Sequence, residues 1–354
     1  MSSPLDHIRV LELATRFPGP FAGMLLADLG AEVIKVEPPL GDPLRHIPPP
    51  TLFGMVNRNK SSVVLNLKTE EGQKRLKQMA QQADVLLEGF KPKTMEQWGI
   101  SYPQLKAPQL IYCALTGYGQ TGKRAFIPGH DINYQALSGI LSLGGPSGIP
   151  LADLGGALYA VIAILSALLL REKTKKGTFL DIGMLQGITS LLSLPLGEYL
   201  GTGPVKKEGL ITGGFACYHL YETKDSKKLA IGALEDKFWR NFCKAVGRSD
   251  WTTRQYEGDQ ARLIEEVAGL IRTKTQTEWN ILLEGKETCV EPVRELEEVV
   301  QDPGLTFSLE GLLQWITPLA PLSKKKMTPA PPLGFHQADL PMLLGQISPP
   351  ATLG

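Results

Sequence analysis

His130 lies in the stretch IPGHDINYQALSG (127–139), between a Pro-Gly turn and a segment that predicts a helix beginning at or near Asp131. The N-terminus of a helix disfavours a second positive charge, so it would keep the imidazole neutral and able to accept a proton. The other interpretation is that His130 only caps the turn. Position alone favours the cap, because most lone histidines are not catalytic.

Two carboxylates occupy comparable positions. Asp153 stands between GGPSGIPLA and a long apolar segment, where burial would raise its pKa and make it a proton donor, or a nucleophile when ionised. The alternative is a helix N-cap, a position that Asp favours. Glu235 opens the predicted helix EDKFWRNFCKAV, where the helix dipole by itself favours a Glu.

Several common catalytic signatures are absent from the sequence. PGPFAG follows the first predicted strand where a dinucleotide fingerprint would read GxGxxG, and no P-loop, GxSxG elbow or HExxH occurs. These absences argue against a nicotinamide enzyme, a P-loop NTPase and the commonest hydrolases. The four cysteines are scattered without a CxxC pair, so we expect neither a zinc site nor a disulfide framework.

Charge and hydropathy point to a soluble cytoplasmic protein. Lys and Arg number 37 against 36 Asp and Glu, so no global field attracts nucleic acid or an anionic membrane. The N-terminus MSSPLDHIRV has no apolar core of a signal peptide. The segment 154–170 is uncharged, but it is short for a membrane span and predicts a buried helix without membrane insertion.

The elements that must position these groups alternate between strand and helix. Apolar runs separated by helices predict a parallel sheet covered on both faces, whose ligands bind beyond the carboxyl ends of the strands. The predicted strands are IRVLEL (8–13), AEVIKV (31–36), SSVVLNL (61–67), ADVLLEG (83–89), LIYCALTG (110–117) and TFLDIG (178–183).

The pattern predicts two domains. A large α/β domain spans 1–200, and a Gly-rich, charged segment at 201–215 serves as a linker. A smaller α+β domain then occupies 216–309, with strands CYHLYET and KLAIGAL and helices at 235–246, 259–273 and 275–285. Residues 310–354 are expected to return to the large domain and to include a short helix at 340–344.

Long blocks of the sequence closely resemble the family III CoA transferases, the CaiB/BaiF superfamily, which also contains the α-methylacyl-CoA racemases. The blocks are RVLELATRFPGPFAGMLLADLGAEVIKVEPPLGDPLR, NRNKSSVVLNLKTEEG, ADVLLEGFKP and LIYCALTGYGQTG. The resemblance implies a Rossmann-like large domain, a smaller domain, and an interlocked homodimer in which the 201–214 segment crosses between chains.

The resemblance also assigns roles. Transferases of the family use one aspartate that forms a mixed anhydride, and the matching position is Asp153; racemases keep it and add a histidine and a glutamate, which match His130 and Glu235. We therefore expect a racemase or epimerase that acts on a 2-methylacyl-CoA through His130 and Asp153. The alternatives are a CoA transferase that uses Asp153 as nucleophile, and a non-catalytic acyl-CoA-binding protein.

The expected ligand is a CoA thioester as substrate, with no tightly bound cofactor. Two arginines usual in the family are replaced by Pro38 and Gln97, and Lys91, Lys93, Arg45 or Lys60 are candidates to take their place. The resemblance implies CoA contacts at Leu65, Asn66, Leu67 and Lys68, at Gly89, Phe90 and Lys91, and at Gly129, Asp131, Ile132, Asn133 and Tyr134.

Overall fold

The computed structural model describes residues 3–145, 147–203, 209–301, 322 and 327–343. The described residues form two compact units: 3–141, 147–193, 322 and 327–343 make a large unit, and 142–145, 194–203 and 209–301 make a small one. Part of the predicted linker, residues 204–208, lies outside the described residues. So do residues 302–321, 323–326 and 344–354, which include the predicted end of the small domain and most of the predicted C-terminal segment.

The large unit is built on a six-stranded parallel sheet, which confirms the predicted α/β class. The spatial order is β3-β2-β1-β4-β5-β6, and every neighbouring pair is parallel. The strands are β1 (Arg9–Glu12), β2 (Glu32–Glu37), β3 (Lys60–Val64), β4 (Val85–Glu88), β5 (Ile111–Thr116) and β6 (Thr178–Gly183).

Helices cover both faces of this sheet. In chain order, the described helices are α1 (Pro18–Asp28), α2 (Thr51–Asn57), α3 (Glu70–Ala80), α4 (Thr94–Gln97), α5 (Tyr102–Leu105), α6 (Asp131–Ser138), α7 (Leu141–Gly144), α8 (Leu151–Thr174), α9 (Met184–Ser190), α10 (Ser193–Thr202), α11 (Asp236–Ala245), α12 (Gln260–Ile271), α13 (Gln276–Leu283), α14 (Leu296–Val300) and α15 (Leu340–Leu343). Short 3₁₀ turns lie at Pro43–His46, Leu210–Thr212, Ser249–Arg254 and Gln337–Asp339.

The two faces of the sheet bury separate cores because successive strand residues point to opposite sides. Val10 packs in the core that holds α1 and α8, whereas its neighbour Leu11 packs in the core that holds α3. The same alternation occurs on β4, where Val85 and Leu87 pack in the first core and Leu86 packs in the second, which explains why apolar residues follow one another along that strand.

Helix α8 is the long apolar segment of the sequence. By length and composition it could cross a membrane, and 44% of its most apolar window is buried. One face packs in the core through small residues such as Gly156 and Ala160, and Gly187 of α9 approaches so closely that an added Cβ would lie 2.8 Å from the Gly156 nitrogen. The prediction of a core helix is confirmed for this face; the opposite face exposes Leu158, Ile162 and Leu169.

After β6 the chain forms two successive helices, α9 and α10. The break between them falls between Ser190 and Ser193, and Pro195 lies in the first turn of α10. A proline is tolerated there because the first N–H groups of a helix have no intrahelical partner.

The small unit contains an antiparallel sheet in the order β7-β8-β9, formed by Tyr218–Glu222, Lys228–Gly232 and Val290–Pro292. Sequence patterning missed β9, which has only three residues. Helices α11, α12 and α13 pack on the sheet, and Trp239, Trp251 and Trp279 are nearly fully buried in the resulting core.

The described C-terminal residues lie along the edge of β3. The Gly334 N–H donates to Ser62 Oγ at 3.0 Å, the His336 N–H donates to the Ser62 carbonyl at 3.0 Å, and the Val64 N–H donates to Gln337 Oε1 at 2.7 Å. These bonds satisfy backbone groups that an edge strand would otherwise leave unpaired.

Candidate active site

A cavity of about 570 Å³ opens at the carboxyl ends of β1, β4 and β5. This is the edge of an open parallel sheet where ligands bind. All of its walls come from the large unit: residues 14–16, Pro18 and Gly19 after β1, residues 89–92 after β4, residues 115–118 at the end of β5, and residues 125–130, Tyr134, Asp153 and Met184.

His130 lies on this cavity and also begins helix α6. Its backbone is extended (φ −124°, ψ 172°), and its N–H donates to Asn133 Oδ1 at 2.9 Å. The side chain is exposed toward solvent. His130 therefore occupies the N-cap position of α6 and also lies on the cavity, so the two interpretations of this residue are compatible.

The turn before His130 is shaped by Tyr134. The Tyr134 hydroxyl donates to the Gly129 carbonyl at 2.8 Å, and its ring meets Tyr118 edge-to-face with centroids 5.1 Å apart. A Cβ on Gly117 would lie 2.3 Å from the Tyr134 hydroxyl, and one on Gly129 would lie 2.9 Å from the ring. Both positions therefore require glycine. Burial, together with Tyr118, Asp153 and Asp131, raises the pKa of Tyr134 to about 12, which keeps it a neutral donor.

Asp153 is the third residue of α8. The residue at the N-cap position is Pro150, so the interpretation of Asp153 as an N-cap is wrong. Its side chain is half-buried on the cavity wall. Burial, and to a lesser extent the nearby charge of Asp131, raises the pKa of Asp153 to about 7. At neutral pH this carboxyl therefore populates both its protonated and its ionised form.

Asp131 supplies the cap that α8 lacks in its own sequence. One of its oxygens, Oδ1, accepts the backbone N–H of Ala152 at 2.7 Å and that of Asp153 at 3.1 Å. The other accepts a hydrogen bond from the Gln135 side chain. Asp131 thus ties the His130 turn to the helix that carries Asp153, and no local motif could show this, since the bonds join residues more than twenty positions apart.

Glu235 lies in the small unit, immediately before α11, and its side chain is exposed. The predicted helix over 235–246 begins one residue later, at Asp236. Its proposed catalytic role stays a prediction.

Within the described parts of the chain, no three His, Cys, Asp or Glu side chains come together as metal ligands.

The residues predicted to bind CoA divide into two groups. Gly89, Phe90, Lys91, Gly129 and Tyr134 line the cavity. The cavity walls do not include Leu65, Asn66, Leu67, Lys68, Asp131, Ile132 or Asn133, for which CoA contact stays a prediction.

The turn after β4 rests on a buried carboxyl that sequence analysis missed. The Phe90 N–H donates to Glu88 Oε2 at 2.6 Å, and the Tyr112 hydroxyl is 3.5 Å from Glu88 Oε1. Burial raises the pKa of Glu88 to about 7, although the Phe90 N–H acts in the opposite direction. The sequence signal was a Glu that closes an otherwise apolar strand.

Two of the four basic residues considered as replacements for the missing arginines are already committed elsewhere. Arg45 binds both oxygens of Glu37 at 2.7 Å, and Lys60 is fully buried 2.7 Å from Glu12. Neither residue lines the cavity, and a contact of either one with CoA stays a prediction. Lys91 and Lys93 are exposed, and each lies 5.8 Å from the centre of the Phe126 ring.

The sequence of this chain matches a family of known proteins. The family model described as CoA-transferase family III matches residues 5–332. The chain belongs to CoA-transferase family III. The sequence-based assignment to this superfamily is thereby confirmed.

Family III includes both enzyme types that the sequence suggested. The chain is 33% identical to the succinyl-CoA:glutarate CoA-transferase of Homo sapiens, over 95% of this chain and 85% of that protein. It is 37% identical to the human alpha-methylacyl-CoA racemase, over 84% of this chain and 79% of that protein. A crystal structure of a CAIB/BAIF family protein from Brucella suis superposes with a TM-score of 0.83 at 28% identity, covering 97% of this chain and all of that one.

Proposed function

We propose that this family III member inverts the α-carbon of a 2-methylacyl-CoA by 1,1-proton transfer, with His130 and Asp153 as the two proton carriers. The observation that carries this proposal is that both side chains line one cavity and that the pKa of Asp153 is raised to about 7. A group that exchanges protons at neutral pH is most effective when its pKa lies close to the working pH.

Inversion requires a base and an acid on opposite faces of a planar enolate. In one direction neutral His130 removes the α-proton, the electron pair delocalises into the thioester carbonyl, and protonated Asp153 returns a proton to the other face. In the reverse direction the ionised Asp153 is the base and protonated His130 is the acid. Each such proton transfer typically contributes about 10²- to 10⁴-fold to the rate.

The enolate oxygen needs hydrogen-bond donors while charge develops on it. We place these donors among backbone N–H groups of the turn around residues 129–134, beside the start of α6, where the helix dipole also favours negative charge. The N–H of His130 is excluded because it donates to Asn133 Oδ1, and those of Asn133 and Tyr134 are excluded because they donate to the His130 carbonyl. Glu235 completes the proposed set as the carboxylate that orients or modulates the imidazole, as the resemblance to the racemases implies.

Support for a racemase comes from the three separate positions that match it and from the similarity to alpha-methylacyl-CoA racemase. A second candidate is CoA transfer through an Asp153 acyl anhydride, which the similarity to succinyl-CoA:glutarate CoA-transferase favours. The two chemistries differ in their need for His130, since transfer requires only the nucleophilic carboxylate.

Incubation of a 2-methylacyl-CoA in deuterated water tests the proposal. The wild-type chain should introduce deuterium at the α-carbon, and His130→Ala and Asp153→Asn should each lower that rate by about 10²-fold or more. His7→Ala is the matched control, because the His7 side chain is 69% exposed and does not line the cavity.

Hydroxylamine trapping separates the second candidate. If Asp153 forms an acyl anhydride, hydroxylamine should capture an Asp153 derivative when an acyl-CoA is supplied, and His130→Ala should leave that capture intact. Absence of α-deuteration at high protein concentration, together with successful capture, would replace the racemase proposal with the transferase.

A further inference from the structure

Arg16 lines the same cavity from a loop whose backbone is strained. Its φ is 67°, in the left-handed region where a side chain's Cβ is crowded by the backbone. The Arg16 N–H donates to Asp42 Oδ1 at 3.0 Å, and the Ala14 carbonyl accepts from Lys35 Nζ at 3.0 Å. Lys35 and Asp42 are themselves buried and 2.9 Å apart. A buried ion pair therefore holds the Arg16 loop from both sides.

The guanidinium of Arg16 has no ion-pair or hydrogen-bond partner within the described residues. By contrast, two other arginines of the large unit are paired with carboxylates at short range: Arg45 with Glu37 at 2.7 Å and Arg58 with Asp28 at 2.6 Å. A strained residue that is fixed by buried contacts yet keeps an unpaired charge is typical of a ligand-binding position.

The charge balance of the cavity points to an anionic ligand. Its walls include two cationic side chains, Arg16 and Lys91, against the single carboxyl of Asp153. Lys91 follows β4 and lies with Lys93 around the exposed Phe126 ring, a place where lysine point charges suit phosphates. Arg16 follows β1, a different strand, and its planar fork matches a carboxylate in bidentate fashion.

We propose that Arg16 binds a second carboxylate, carried by the acyl chain of the thioester substrate. The inference rests on the proposed α-proton transfer at His130 and Asp153, and it narrows the substrate class to 2-methylacyl-CoA thioesters whose acyl chain ends in a carboxylate. Arg16 would determine substrate specificity, since it touches the part of the acyl chain that does not react.

Two thioesters of similar shape test this assignment. One is 2-methylsuccinyl-CoA with the thioester next to the methyl-bearing carbon, and the other is 2,4-dimethylpentanoyl-CoA, in which an isopropyl group replaces the free carboxylate. For each we would measure kcat/KM for α-deuterium incorporation and the Kd. The wild-type chain should prefer the carboxylated thioester, and Arg16→Gln should reduce that preference by about 10- to 100-fold.

Two further variants control the experiment. Arg272→Gln removes one exposed arginine at the end of α12 in the small unit, and it should leave the preference as in the wild type. Arg16→Lys keeps the charge but loses the fork, so it should retain part of the preference. Gln and Lys share the first side-chain carbons of arginine, so neither adds to the strain of the left-handed backbone.

The outcomes that overturn the proposal are distinct. If Arg16→Gln weakens both thioesters and free CoA by the same factor, Arg16 binds a phosphate of CoA. If the preference stays unchanged, or if the wild type prefers the neutral thioester, Arg16 does not recognise an acyl carboxylate. If neither thioester exchanges deuterium, the proposed α-proton transfer fails, while the ratio of the two Kd values still tests Arg16 on its own.

Discussion

The carboxylate of Asp131 accepts the backbone N–H of Asp153 at 3.1 Å, and so joins the two segments that carry the proposed acid and base. The same contact brings a negative charge next to the Asp153 carboxyl, where it contributes to the raised pKa after the larger effect of burial. One residue therefore does two things: it fixes the start of α8 and it favours the protonated form of the group that α8 presents.

Asp131→Asn should lower the pKa of Asp153 below 7. Asparagine keeps an oxygen that can accept the Ala152 and Asp153 N–H groups, but it lacks the negative charge that disfavours ionisation of Asp153. The alkaline limb of the α-deuteration rate, where Asp153 acts as acid, should shift to lower pH. Carboxyl ¹³C NMR of Asp153 measures the same shift directly.

Asp6→Asn is a suitable control for that measurement, since Asp6 is exposed and lies outside the cavity walls. It should leave the titration of Asp153 where the wild type has it. An Asp153 midpoint that stays at its wild-type value in Asp131→Asn would show that burial alone raises the pKa.

Asp153→Asn should stabilise the fold at alkaline pH. An ordinary aspartate titrates near 3.8, and the folded chain raises the pKa of Asp153 to about 7. Between these values the unfolded chain releases the proton and the folded chain retains it, so the free energy of unfolding falls as pH rises through this window. Asparagine, which stays neutral, avoids that loss.

The stability gain of Asp153→Asn over the wild type should therefore widen by about 1 to 2 kcal/mol between pH 5 and pH 8, with partial solvent exposure taken into account. Urea titrations at both pH values measure it. Glu257→Gln, at an exposed position of the small unit, serves as control. A gain that is equal at the two pH values would mean that Asp153 ionises normally in the folded chain.

The large sheet was predictable from sequence because its strands are buried on both faces. β4 and β5 are apolar at every position except the last, and such continuous apolar runs are typical of parallel strands that are buried on both faces. The Pro-Gly turn before His130 also allowed the start of the following helix to be predicted. By contrast, β9 has three residues and lacks any periodic signal, so its pairing depends on the strand beside it.

The chemistry of the site was only partly predictable. His130 and Asp153 could be selected from their residue types and flanking turns, and the structure places both on one cavity. The sequence could not show that Asp131 connects them, nor that an ion pair holds the Arg16 loop. These contacts join residues from different strands and helices. Burial likewise determines which basic side chains remain available to bind a ligand: Lys60 is buried, whereas Lys91 is exposed on the cavity.

Gly117→Ala should disturb the turn that carries His130. The new Cβ would lie 2.3 Å from the Tyr134 hydroxyl, so Tyr134 must move and lose its hydrogen bond to the Gly129 carbonyl. Overpacking of this kind costs about 1 to 3 kcal/mol, and affinity for a CoA thioester should fall as well. Thermal unfolding and ligand titration provide the two measurements.

Gly54→Ala is the matched control for Gly117→Ala. Gly54 lies within α2, where an added Cβ meets nothing within 4 Å. Alanine has the higher helix propensity, so the control should be neutral or more stable by up to about 1 kcal/mol. Equal stability of the two alanine variants would contradict the packing that we describe around Tyr134.

Lys60→Met should lower the stability of the fold, whereas Lys91→Met should lower the affinity for CoA. Lys60 is fully buried against Glu12, and removal of one of the two lysine partners of Glu12 leaves the Glu12 charge only partly compensated, so we expect a loss of about 3 kcal/mol in stability. Lys91 is exposed on the cavity. Its replacement should leave stability within about 0.5 kcal/mol of the wild type, but weaken CoA binding and make that binding less sensitive to salt.

Urea titrations and CoA titrations at two salt concentrations distinguish the two lysines. Lys35 also lies 2.8 Å from Glu12, so part of the charge compensation should survive in the Lys60 variant and the chain should still fold. A Lys60→Met chain that keeps its stability and loses CoA affinity would assign phosphate binding to the buried lysine. Unchanged CoA affinity in Lys91→Met would remove Lys91 as the replacement for the arginines that stand elsewhere in the family at the positions of Pro38 and Gln97.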